Sequence, residues 1–244
     1  MLKKLMKWYR GENDIEKTPP RGGLKRVGYI LINYTGHLLF INLLFLLCCI
    51  PVITIPAALI ALNSYLLKIF HQGYNFSVRD FLKEYKNSII KGIPMGIVSG
   101  GILFYGYYLM SLSGNFSEGG VKAAVMGIGI AVFAVAMVLG EYLFLLSAML
   151  SLPLRHLFKN AFILMIIEWK NGLKAMLLSL LVLGILVAFL PYSLYLVLIG
   201  FFSVLQLLII SALEPAVMKR IVEPYENEQN EGSDVNNQRD CQIK

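Results

Sequence analysis

Ionisable and amide side chains set inside long uncharged stretches are the residues of this 244-residue chain best placed to do chemistry. His37 stands well inside an apolar run, with Asn33 one helical turn before it and Asn42 just beyond. Glu141 follows Gly140 in another run, and Glu214 precedes Pro215 at the end of the last. An ionisable group at membrane depth costs ~2.5–3.5 kcal/mol on insertion scales, so it marks an ion or substrate site by default. Two arrangements fit these residues. Asn33, His37 and Glu141 could share a polar cavity inside a helical bundle. Alternatively they hold helices together through interhelical hydrogen bonds, worth ~0.6 kcal/mol each on average. One histidine and one carboxylate make a thin pathway, which favours the second.

Other chemistries lack their residues. The sequence has no phosphate loop, HExxH, paired CxxC or nucleophile elbow. Cys48 and Cys49 are adjacent in an apolar run and Cys241 sits in a polar tail. Neighbouring cysteines seldom bridge, and a free cysteine packs as a small hydrophobe. His71 and His156 stand alone, without the clustered partners of a metal site. The expectation is no catalytic residue, no metal and no cofactor: not an enzyme.

The elements that must hold these residues are membrane spans. The chain is 57% hydrophobic and 15% charged, whereas soluble domains average ~45–50% apolar and ~25% charged. The expected fold is all-α, a polytopic transmembrane bundle in the plasma membrane with the lipid bilayer as its solvent. Six apolar segments are long enough to cross: about 27–50, 52–70, 92–112, 122–150, 173–191 and 193–213. Residues 1–26 form a basic leader, 27–220 the transmembrane domain, and 221–244 an acidic, polar tail with the composition of a disordered segment.

Between the first two segments lies CCIPVITIP. One helix through residues 27–70 would run ~66 Å, about twice the hydrocarbon thickness. Pro51 and Pro56 also disfavour helix at the residues before them. Pro51, Thr54 and Pro56 therefore belong to a hairpin turn. Basic residues set the orientation. Seventeen lysines and arginines fall in the leader and in the second and fourth connections, against Lys122 alone in the other three. The positive-inside rule then places both termini in the cytoplasm, with the six spans as three hairpins. The same pattern accounts for the net charge of +7, so nucleic acid is not an expected partner.

The second connection, HQGYNFSVRDFLKEYKNSIIKG, is the most patterned polar segment. Ser77 and Asp80 suit a helix start. Phe81 and Tyr85 share an apolar face, opposite Arg79, Lys83 and Lys86. A basic amphipathic helix of this kind lies along the inner interface, and Arg79, Asp80, Phe81 and Tyr85 are candidate docking residues. The third span begins with Gly92, Gly96 and Gly100 on one ridge, and Gly119, Ala123, Gly127 and Ala131 make a stripe at the start of the fourth. Small residues every fourth position let helices approach closely, so spans three and four are expected to pack through these faces.

NLLFLLCCIPVITIPAALIAL followed by FSVRDFLKEYKNSIIKG resembles the YesL-like family of bacterial membrane proteins, a family of unknown function. The residues that carry the likeness are Asn42, Leu43, Leu44, Pro51, Val52, Thr54, Arg79, Asp80 and Phe81; Pro56 stands where members often have glycine. The resemblance implies no defined chemistry. It implies association with carbohydrate uptake, and subunits of a sugar importer as partners. The expected role is a non-enzymatic accessory or regulatory component. The alternative is a small-solute secondary transporter or channel, whose path could draw only on Asn33, His37, Asn42, Asn63 and Glu141.

Overall fold

The computed structural model describes residues 23–72, 78–116, 119–190, 192, 195, 197 and 200–224. Most of the expected leader, the Ser77 helix start and most of the expected tail lie outside the described residues. Within them the regular elements are all helical: α1 Gly23–Asn33, α2 Thr35–Cys48, α3 Ile55–Gln72, α4 Val78–Ser113, α5 Gly120–Met149, α6 Leu154–Ile167, α7 Trp169–Ala188 and α8 Phe201–Val217. A 3-10 turn, Val52–Thr54, leads into α3, and a π turn, Met218–Val222, follows α8. Among the described residues five helices are long and apolar enough to cross a bilayer, or six if α1 and α2 count as one broken span. These are the dimensions of a multi-pass membrane protein.

The first expected span, 27–50, is not a straight rod. α1 and α2 meet at 88°, and the residues at the break supply the reason. Asn33 Nδ2 donates to the Tyr29 carbonyl at 2.8 Å, and the Thr35 hydroxyl donates to the Leu31 carbonyl. Those carbonyls are the ones the backbone amides of Asn33 and Thr35 would use in a regular helix. Side chains that compete for them bend helices, and Tyr34 (φ −116°, ψ 18°) absorbs the change.

α2 ends at Cys48 and the chain reverses through CCIPVIT. The Thr54 hydroxyl lies 2.9 Å from the Cys48 carbonyl and 2.6 Å from that of Pro51. It is thus the polar closure of a turn whose tip residues Ile50, Val52 and Ile53 are exposed. α3 then runs through the middle of the bundle. Of its apolar stretch 61% is buried in the protein, against 17% for α7. A helix that is apolar on every side belongs at such a position, and Ala57, Ala58 and Ala61 keep it slim enough for neighbours to come close.

The connector and the third expected span form one helix. α4 has 36 residues, ~54 Å at 1.5 Å per residue, so the connector does not form a separate helix lying along the interface. No turn residue interrupts Val78–Lys91, and the helix continues past Pro94. The fourth connection likewise contains a helix, α6, that the apolar pattern did not announce. It meets α7 at a break around Glu168 (φ −108°, ψ 38°).

The glycine contacts correct the expected packing. A Cβ at Gly92 would sit 2.8 Å from the Ala57 backbone, and one at Gly96 would fall within the Pro56 ring. These glycines therefore seat α4 on α3. Gly100 faces open space, as do Gly119 and Gly127, and Ala123 and Ala131 are exposed with them. The approach of α4 to α5 is made instead by Gly106 against Phe133 and by Gly129 against Met110, where an added Cβ would lie 2.7 and 2.8 Å from backbone nitrogen.

Polar contacts around Arg26, His71 and Glu168 fasten the helices to one another. Arg26 Nη2 donates to the His71 carbonyl at 3.0 Å, with its guanidinium 5.1 Å from the Phe70 ring centre. His71 Nε2 lies 3.4 Å from the Glu214 carboxylate. Arg220 pairs with Glu168 at 3.0 Å, tying the π turn after α8 to the α6–α7 break. Tyr142 of α5 donates to the Glu168 carbonyl at 3.1 Å.

Candidate functional site

Glu141, on the inward side of α5, lines a cavity of about 170 Å³ between α3, α4 and α5, with Gln206 of α8 at its edge. Asn63 of α3 and Ser99 of α4 complete its polar lining, and Leu59, Leu103, Met137 and Phe144 are among its apolar walls. Gly140 lies beside Ser99, where an added Cβ would make only an ordinary contact of 3.8 Å with that of the serine. Glu141 Oε1 lies 2.6 Å from the Ser179 hydroxyl of α7, which is also 2.9 Å from the Ala175 carbonyl. A hydroxyl has a single proton to donate, so Ser179 can serve only one of these oxygens as donor at a time. Glu141 Oε2 and both amide atoms of Asn63 have no hydrogen-bond partner among the described residues, although Asn63 is completely buried.

The other candidates lie elsewhere. Asn33 is exposed at the α1–α2 break and bonds its own helix. His37 is half-buried on α2, its ring 6.1 Å from that of Tyr34. Neither lines the cavity of Glu141, so the shared polar cavity, the less favoured of the two arrangements, is not assembled; the 88° break carries the first two off on a separate pair of helices.

Asn42 is wholly buried, and its role is evident from its bonds. Its Oδ1 accepts from the amides of Phe202 and Ser203 at 3.1 and 3.3 Å, while Nδ2 donates to the Val197 carbonyl at 2.7 Å. Phe202 and Ser203 are in the first turn of α8, which receives no capping bond from the Gly200 position that precedes it. Asn42 thus acts as a helix cap supplied from another helix.

Among the connector candidates, Arg79 and Asp80 are exposed, Tyr85 is half-buried and Phe81 is only 1% exposed. Phe81 belongs to the core, and the residues exposed on the N-terminal part of α4 include Arg79, Asp80, Leu82, Lys83 and Lys86. The turn residues Pro51 and Thr54 close the α2–α3 reversal, and Pro56 packs on Gly96. Ser99, Ser179 and Gln206 escaped sequence reasoning because serine and glutamine in apolar helices carry no distinguishing spacing. Asn63 could be named only as a polar residue in a long uncharged run. Among the described residues no group of three or more histidine, cysteine or acidic side chains could hold a metal ion.

Residues 38–108 match the model of a family described as a protein of unknown function, DUF624. The match begins in α2, includes the turn and α3, and ends five residues short of the end of α4. It therefore spans Asn42, Asn63, the connector residues and Ser99, and stops before Glu141. No curated protein and no solved structure matches the chain.

Proposed function

We propose that this chain is a YesL-like accessory or regulatory protein of the plasma membrane, without enzymatic activity of its own, that works beside a carbohydrate importer. The observation that supports this reading best is the shape of α4. Its 36 residues exceed the ~20 needed to cross the hydrocarbon. Arg79, Lys83 and Lys86 are exposed on the end that remains. Phe81 and Ser88 anchor that end in the bundle, which makes it a rigid post and not a floating loop. With the basic end cytoplasmic, as positive-inside asymmetry requires, the post stands where cytoplasmic loops of importer subunits are accessible. The resemblance supplies the carbohydrate connection. A transporter or channel reading has weaker support, because Asn33, His37, Asn42 and Glu141 are distributed over separate places instead of one path.

Purification in mild detergent from native membranes, with mass-spectrometric identification of what accompanies the chain, tests the proposal. Importer subunits are expected in the wild-type eluate and lost from an Arg79→Glu/Lys83→Glu variant of unchanged stability. A protein that purifies alone and moves solute into liposomes would overturn it.

A further inference from the structure

The cavity at Asn63 and Glu141 offers a chemistry separate from docking, and it stands independently of the accessory reading. Its polar lining is rich in acceptors. The Ser99 hydroxyl lies 2.8 Å from the Met95 carbonyl, to which it donates, leaving Ser99 to present lone pairs. Asn63 Oδ1 and Glu141 Oε2 are both without partners among the described residues. Buried polar groups are costly unless they are satisfied, and an ionised carboxylate at this depth needs a positive partner. Among the described residues no basic side chain is paired with Glu141; its one bond comes from Ser179.

We propose that the cavity is a binding site for a small monovalent cation, with the Glu141 carboxylate as counter-charge and Asn63 Oδ1 and Ser99 Oγ as neutral oxygen ligands. One carboxylate matches one positive charge. A calcium or magnesium ion would leave one positive charge unbalanced at this depth, since Glu141 is the one acidic side chain in the described lining. The volume of about 170 Å³ leaves room for part of the ion's hydration shell, since one water occupies ~30 Å³ of liquid. The site therefore selects by charge first and by size second.

The test uses the purified full-length chain in nanodiscs of uncharged lipid. Thermal unfolding is followed in sodium, potassium or ammonium chloride and compared with N-methyl-D-glucamine chloride at equal ionic strength. A cation that binds only the folded protein raises the midpoint with its concentration. At least one small cation is expected to raise Tm above the glucamine control, Glu141→Gln to abolish the rise, and Asn63→Ala to weaken binding roughly tenfold or more, as loss of a supporting ligand does in metal sites. The proposal fails if no cation acts on the wild type or if Glu141→Gln responds as the wild type does. Equilibrium binding of sodium-22 and rubidium-86 to the wild type gives a readout independent of variant folding. Saturable uptake displaced by ammonium supports the site, and purely non-saturable uptake overturns it. Co-purification is read separately, so failure here leaves the accessory reading standing.

Discussion

Two buried amides, Asn42 and Asn63, look alike in sequence and have opposite fates in the fold. Asn42 has its donor and acceptor occupied by the α8 entrance, whereas Asn63 faces a cavity with both atoms unpartnered among the described residues. Replacing Asn42 by Leu strips the cap from α8 and leaves the Phe202 and Ser203 amides without it. Loss of a cap costs ~0.5–2 kcal/mol, and a lower unfolding midpoint in detergent should show it. Asn63→Leu removes two unsatisfied atoms and is expected to leave the midpoint unchanged or raise it in cation-free buffer. Phe81 permits a third test. Truncation to Ala in a packed core costs ~3–5 kcal/mol, so Phe81→Ala should lower the midpoint strongly, while Arg79→Glu on the exposed side should not.

Helices in lipid obscure one kind of information that soluble helices display. Both the face against the protein and the face against acyl chains are apolar, so hydropathy locates a span without telling which side is inward. The glycines show the consequence. Gly92 and Gly96 were legible as close-approach residues, yet the partner was α3 rather than α5. The stripe Gly119–Ala131 is regular and faces outward, while Gly129, just off that register, makes the contact. A direct comparison decides the matter: Gly106→Leu and Gly129→Leu should separate α4 from α5 and sharply reduce the yield of folded protein. Gly100→Leu and Gly127→Leu should behave as wild type. The α2–α3 turn was readable because proline leaves a strong local signature. The α1–α2 break was not, since its cause is two side chains capturing carbonyls of their own helix. Removing both captures with Asn33→Leu/Thr35→Val should straighten the pair, which spin-label distances between positions 27 and 45 would report as a lengthening.

At the scale of the molecule, composition and charge asymmetry sufficed for an all-helical, multi-pass architecture, and the tertiary cavity was beyond them. Glu141, Asn63, Ser99, Ser179 and Gln206 come from five helices, and no spacing rule links residues so far apart. Orientation remains a prediction with a clean measurement. Single cysteines at Lys83 and Lys159 should resist an impermeant thiol reagent applied to intact cells, and one at Ile53, at the exposed turn, should react.

The Asn42 clasp also has a history written into chain order. A ribosome delivers this amide about 160 residues before the amides it will serve, so the α2–α3 hairpin is made well before Val197, Phe202 and Ser203, the groups that Asn42 clasps. A chain truncated before Val197 would reach membrane depth without any of these three bonds to Asn42.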